Sequence, residues 1–235
     1  MFRLDPPPEE APVPGLVAPQ LVVNSRMIYF GWLPADPGAV AALVPEGLKP
    51  AADRQVFMNQ YVVDDAGQTS GFGAYSLTYL GPDLSGLDAP DGVTPGRWWT
   101  HYFNSSEVVR EYAAERGVPA TPGRTTIEVT GRRLVATTEA DGVPVIRTTA
   151  RVGRTGEAVN RGQLRYITRV GGGFLSGVYP FVAEPVEPFE VESLEFLEPD
   201  HPVHALRPAD PLQVTWGFYS PRSSFAYPGG EAPLS

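Results

Sequence analysis

Thr125-Thr126-Ile127-Glu128-Val129-Thr130-Gly131-Arg132-Arg133-Leu134-Val135-Ala136-Thr137-Thr138-Glu139-Ala140-Asp141-Gly142-Val143-Pro144-Val145-Ile146 is the stretch that decides the fold. It is rich in β-branched residues, and its β-rich runs at 125–129, 133–139 and from 143 onward are parted by turn-formers such as Asp141-Gly142. Runs this short, joined by turns this tight, predict neighbouring antiparallel strands rather than strands separated by helices. The same rhythm continues at 163–170, 175–181, 189–196 and 212–218, broken by Gly153, Gly171-Gly172-Gly173 and Pro199-Asp200. Upstream, Met27-Ile28-Tyr29-Phe30-Gly31-Trp32, 56–63 and 72–80 read as further strands, the last two flanking Asp64-Asp65-Ala66-Gly67. Two short helices interrupt them. One is expected at 37–44, with Asp36 as N-cap and Pro37 in the first turn. The other is expected at 106–116, ended by Gly117 and Pro119.

Composition agrees with a turn-rich β protein. The chain has 235 residues, of which 25 are Gly and 26 Pro, more than a fifth of all positions; roughly 12% is usual for the two together. Both residues disfavour helix interiors, which excludes a helical bundle or coiled coil. With 42% hydrophobic and 11% aromatic residues, the sequence still carries enough apolar surface to order a core. Residues 1–20 are Pro-rich and acidic and read as an extended arm; 21–235 read as one α+β domain with a closed or strongly curved sheet. The loop 81–96, dense in Gly and Pro, is long enough to be a functional candidate on length alone.

The net charge of −9, with no basic stripe, argues against a nucleic-acid partner. No apolar run approaches the length of a membrane span, and the N-terminus lacks the apolar core of a signal peptide. Zero Cys removes disulfides, thiolate metal sites and thiol nucleophiles together. A cytoplasmic location is the expectation. Of the 18 basic residues, only Lys49 is a lysine. A Schiff-base amine must come from Lys or the N-terminus, since a guanidinium is never usefully deprotonated. Covalent amine catalysis therefore has one side chain to draw on.

Other constellations are weak. His201-Pro202-Val203-His204 spaces two imidazoles three apart with no third ligand fixed nearby, so solvated loop histidines are the reading and no metal is expected. Gly171-Gly172-Gly173 lacks the spaced glycines of a phosphate cradle and reads as a hairpin turn. No Gly-x-Ser-x-Gly elbow occurs. His101 lies in Trp98-Trp99-Thr100-His101-Tyr102-Phe103, where strict alternation puts Trp99, His101 and Phe103 on one face. A His so placed is either a hydrogen-bonded core residue or a pocket-lining acid or base.

The order of motifs resembles the acetoacetate decarboxylase family. Tyr29-Phe30 precedes a helix ending Leu43-Val44-Pro45-Glu46-Gly47-Leu48, then comes Thr69-Ser70-Gly71-Phe72-Gly73-Ala74-Tyr75, and Phe218-Tyr219-Ser220-Pro221-Arg222 is similar to the family's last strand. The likeness covers about residue 22 to residue 228. It implies an acetoacetate decarboxylase-like α+β fold, mainly antiparallel β, with a cone-like β-barrel or curved sheet core and two short helices. It also implies homo-oligomers. The family's nucleophilic Lys and its activating Lys fall on Ala120 and Thr121 when Pro119 is matched to the family's Pro. Its two pocket Glu fall on Leu77 and near Asn59, and its substrate-carboxylate Arg falls near Arg26.

These readings lead to a lysine-independent enzyme of small-molecule or secondary metabolism, with no cofactor. Its substrate would be a hydrophobic carbonyl or polyketide-like compound undergoing cyclisation, isomerisation, dehydration or a related rearrangement. His101 is the expected acid/base and Arg26 the anion hook. Tyr75, Trp98, Trp99, Phe103, Asn59, Leu77, Ala120, Thr121 and Arg124 are the expected pocket. The alternatives are a non-catalytic binding protein of the same fold, and a decarboxylase that uses Arg or His electrostatics without an imine.

Overall fold

A computed structural model describes residues 16–155, 158–227 and 231–234. Residues 1–15 of the expected N-terminal arm lie outside the described residues. The first half of the chain forms β1 (Gln20–Trp32), α1 (Pro37–Ala42), β2 (Val56–Val63), β3 (Tyr75–Pro82), β4 (Gly96–Trp98), β5 (His101–Asn104) and α2 (Glu107–Ala114). The second half is mostly strand: β6 (Ala120–Thr130), β7 (Arg133–Ala140), β8 (Val143–Thr155), β9 (Asn160–Val170), β10 (Gly173–Ala183), β11 (Val186–Phe196), β12 (Val214–Tyr227) and β13 (Ala232–Pro233). A 3-10 turn, Pro202–Leu206, precedes β12.

All strands join one 13-stranded sheet in the order β11-β8-β7-β6-β5-β3-β2-β1-β12-β10-β9-β4, with β13 paired to β10. The quoted stretch forms β6, β7 and the start of β8, hydrogen-bonded in sequence order as the short turns require. Gly171 and Gly172 both take positive φ, 58° and 85°, and make the two-residue turn between β9 and β10. The sheet curls far enough that β4 returns to the end of β3. There Asp83 and Arg97 form a lone antiparallel bridge, and Thr100 donates its N–H to the Leu80 carbonyl at 3.1 Å.

The curl gives the middle strands two buried faces. Met27, Tyr29, Phe57, Tyr61, Leu77 and Tyr79 point to one side; Ile28, Phe30, Met58 and Leu80, their alternates, point to the other. The hydroxyls of Tyr79 on β3 and Tyr179 on β10 meet, although these strands are not neighbours in the sheet. That side is therefore the inside of the curl, the lumen. The outer face packs on Ile127, Leu134, Ala136 and Ile146 of β6–β8. Between the layers, Gln60 donates to Thr138 at 2.9 Å and accepts from Thr148 at 3.0 Å, so its buried amide is satisfied.

Two expectations change. The run 98–103 is not one strand: β4 pairs with β9 in parallel, the chain breaks at Trp99-Thr100, and β5 then pairs with β3 and β6. Alternation does not carry across that break, so Trp99 joins Tyr102 in the lumen while His101 and Phe103 face outward. The sheet is mainly antiparallel, as expected, with β4–β9 and β5–β6 the parallel pairings. The last long strand runs on to Tyr227, past Pro221, because β1 opposite is bulged at 22–27 and needs no donor there. Both helices form near their expected places. Ala39 N–H donates to the Asp36 carboxylate at 2.9 Å, and Ser106 caps α2.

Candidate active site

β4 is short, and it carries a buried charge. Arg97 is 4% exposed. Its Nε donates to Asp83 Oδ1 at 3.0 Å, and among the described residues its guanidinium makes no other hydrogen bond. The other oxygen of Asp83 accepts from Gln55 Nε2, and Gln55 Oε1 accepts from Thr215. Three aromatic rings surround the cation. Its Cζ lies 4.9 Å from the Tyr29 ring centre, 4.7 Å from Phe57 and 5.0 Å from Trp216.

Burial pushes the Asp83 carboxyl up to about 7 and the Arg97 guanidinium down to about 9. Their direct contact opposes both shifts, and a guanidinium keeps its proton, so the pair stands charged. An ion pair this dry is held by its hydrogen bonds rather than by Coulomb attraction alone. The result is a fixed cation whose two Nη groups have no hydrogen-bond partner among the described residues.

A cleft of about 300 Å³ opens at this point, lined by Tyr29, Val93, Thr94, Pro95, Arg97, Gly162, Gln163, Phe181, Trp216 and Phe218. Its rim at 93–95 belongs to the long Gly- and Pro-rich loop, which Asp91 shapes by accepting from the N–H groups of Val93 and Thr94. Behind the cleft the lumen is packed with tyrosines. Asn59 Nδ2 donates to the Tyr79 hydroxyl at 2.9 Å, and the Tyr61 and Tyr75 hydroxyls are 2.9 Å apart. Burial raises the pKa of Tyr61, Tyr75, Tyr79 and Tyr179, so all four are neutral donors at ordinary pH. Tyr29 Oη, Asn59 Oδ1 and Trp99 Nε1 are buried without a hydrogen-bond partner among the described residues. Buried polar atoms in a native core are nearly always paired, so these three mark a face shaped for polar contact.

The expected site residues do not come together in one place. Asn59, Tyr75, Leu77 and Trp99 are buried in the lumen wall, and Ala120 packs at its edge. Arg26, Tyr75 and Arg124 meet in a separate cleft of about 440 Å³. There Arg26 is held by Asp64 through two hydrogen bonds of 2.8 and 2.6 Å and also donates to the Ile127 carbonyl. Its charge is therefore already answered. His101 stands on the outer face beside Phe103 and His201, with its Nδ1 3.0 Å from the Thr100 hydroxyl. Burial, and then His201, lower its pKa to about 4. Trp98 packs edge-on against Phe174, and Thr121 is exposed. Lys49 is exposed in the loop after α1, where its carbonyl accepts from Ser85 N–H. No His, Asp or Glu cluster among the described residues could hold a metal ion.

Sequence reading missed Arg97, Asp83, Gln55, Tyr79, Tyr179 and Trp216. One signal was present: in β2 and β3 the polar-tipped Asn59, Tyr61, Tyr75 and Tyr79 recur at spacings of two and four, which puts them on one face of each strand.

No known family model matches the chain, and no curated protein matches it in sequence. Solved structures do. An acetoacetate decarboxylase superposes with a TM-score of 0.69 at 15% identity, over 94% of this chain and 91% of that one. The acetoacetate decarboxylase of Legionella pneumophila subsp. pneumophila str. Philadelphia 1 gives 0.66 at 14% identity, over 100% and 93%. The enduracididine biosynthesis enzyme MppR, complexed with pyruvate, gives 0.63 at 15% identity, over 94% and 92%. Across nearly its whole length, this chain has the acetoacetate decarboxylase-like fold that its motifs resemble.

Proposed function

We propose that the protein is a small-molecule enzyme that acts, without an imine, on a carbonyl compound bearing a carboxylate and an apolar group. Its substrate enters through the Arg97 cleft. One observation carries this reading: a buried guanidinium, fixed through Nε by Asp83 and boxed by three aromatic rings, keeps its Nη donors for a ligand. Paired Nη donors match a carboxylate bidentately, and the rings and Phe181 offer an apolar seat beside it. The lumen's neutral tyrosines supply hydrogen bonds to a polarised carbonyl oxygen, which is electrostatic rather than covalent assistance. In this reading no lysine takes part: the sole one is exposed, in the loop after α1. MppR of the same fold is complexed with pyruvate, a keto acid. The anion hook thus moves from Arg26 to Arg97, and the acid role from His101 to the lumen hydroxyls.

Phenylpyruvate is a suitable probe, and two measurements on it test the reading. Calorimetric titration should show saturable binding that Arg97→Gln weakens tenfold or more, about 1.4 kcal/mol or above. In deuterated water, the wild type should accelerate loss of the C3 proton signal by NMR. Binding without that acceleration would favour a non-catalytic binding protein. Binding indifferent to Arg97→Gln would refute the site.

A further inference from the structure

Asn59, Tyr79 and Tyr179 form a hydrogen-bonded row in the lumen behind the cleft. Asn59 Nδ2 lies 2.9 Å from the Tyr79 hydroxyl and 3.5 Å from Met27 Sδ. A thioether sulfur is a weak acceptor, so the amide presents its N–H groups to this side. The Tyr79 oxygen therefore accepts from Asn59. The hydroxyls of Tyr79 and Tyr179 are in hydrogen-bond contact, in which either oxygen is able to donate; with Tyr79 already accepting from Asn59, we take its proton as the one directed at Tyr179. Having accepted, Tyr179 keeps its own O–H to give. Arg97 has no acceptor to receive it, because a guanidinium only donates.

The position of Tyr179 fits that role. It lies two residues before Phe181 on β10, hence on the same face, and Phe181 lines the cleft. Tyr79 packs against Phe57, with ring centres 6.2 Å apart, and Phe57 is one of the three rings around Arg97. Tyr179 also feels the Arg97 charge, which favours its ionised form against the larger effect of burial.

We propose that Tyr179 donates the hydrogen bond that polarises the substrate's carbonyl oxygen, and that Asn59 and Tyr79 are positioning residues aligning that donor. This rests on the Arg97 cleft being the substrate site. Chains of hydrogen bonds polarise one another, so a Tyr179 that accepts from Tyr79 is a stronger donor than an isolated phenol. No atom changes hands in the ground state. The contact strengthens as negative charge develops on the substrate oxygen, which is the condition for catalytic use.

The test compares two acids of one skeleton, phenylpyruvate and 3-phenylpropanoate, which differ only in the ketone oxygen. Calorimetry on the full chain reads both dissociation constants. Wild type should prefer the keto acid by about 3- to 10-fold, the range of a net neutral hydrogen bond. Tyr179→Phe should abolish that preference and leave 3-phenylpropanoate unchanged. Tyr79→Phe, which keeps the Tyr179 donor but unaligns it, should reduce the preference to about 2-fold. It also serves if Tyr179→Phe fails to fold. A preference that survives both variants, or a variant that weakens both acids equally, overturns the relay. If Arg97→Gln weakens both acids while Tyr179→Phe preserves the preference, only the relay falls. If wild type binds neither acid, or Arg97→Gln changes neither, the substrate site falls and the relay with it.

Discussion

At the scale of single residues, the molecule separates charges that are answered from charges that are kept. Arg26 is answered twice over, by Asp64 and by the Ile127 carbonyl. Arg97 is answered once, and its partner is itself held by Gln55. Asp83→Asn would leave a buried guanidinium without its counter-ion. The expected cost is about 3 kcal/mol, in the range for breaking a buried pair, read as a lower urea midpoint with unchanged slope. His101 gives a pH prediction. Its folded pKa of about 4 lies below the ordinary 6.5, so below pH 6.5 the unfolded chain binds a proton that the folded chain refuses. Stability from this group is whole above pH 6.5 and is lost as pH falls toward 4, by up to about 3 kcal/mol. His101→Gln should flatten the stability curve in that window and leave it unchanged above pH 7. An unaltered acid limb in the variant would refute the assignment.

Elements matter most where the curl closes. Gly81 lies at the end of β3, where a Cβ would sit 1.9 Å from the Trp98 carbonyl oxygen. Only a residue without a side chain lets β4 come this near, and that approach sets Arg97 over Tyr29 and Phe57. Gly81→Ala should force the strands apart, destabilise the fold by more than 2 kcal/mol, on the order of overpacking costs, and weaken phenylpyruvate binding as Arg97→Gln does. Retained affinity alongside lost stability would separate closure from site assembly. Gly117 ends α2 with a φ of +71°, and its Cβ would meet the Arg169 carbonyl at 2.2 Å. The Gly–Pro helix stop read in the sequence is therefore also a contact between α2 and β9. The break at Trp99-Thr100 belongs to this scale too. A period-two pattern predicts sides only within one continuous strand, and no local signal in an aromatic run says where the chain changes partner.

On the scale of the whole molecule, a curled sheet covered on its outer face by β6–β8 leaves one interior, and its single lysine lies outside that interior. Borohydride with pyruvate should therefore add no mass to Lys49, and Lys49→Arg should leave phenylpyruvate affinity unchanged. Peptide mass mapping and calorimetry check the two. A stable adduct on Lys49 would restore covalent chemistry.

The sequence by itself determined the strands, their tight turns, the two capped helices, the absence of thiols and the scarcity of amines. Each of these is a local property: side-chain branching, turn residues, caps and residue counts act over a few positions. Motif order singled out Asn59, Tyr75 and Leu77, which the structure buries in the lumen wall. The tertiary structure alone decided which cation matters. Tyr29, Phe57, Arg97 and Trp216 come from four strands far apart in the chain, and only the return of β4 to β3 brings them within 5.0 Å of one guanidinium. Desolvation is a property of that assembly and of no residue in it. An arginine is a surface charge by default, and it becomes a ligand anchor only when the curl removes the water around it.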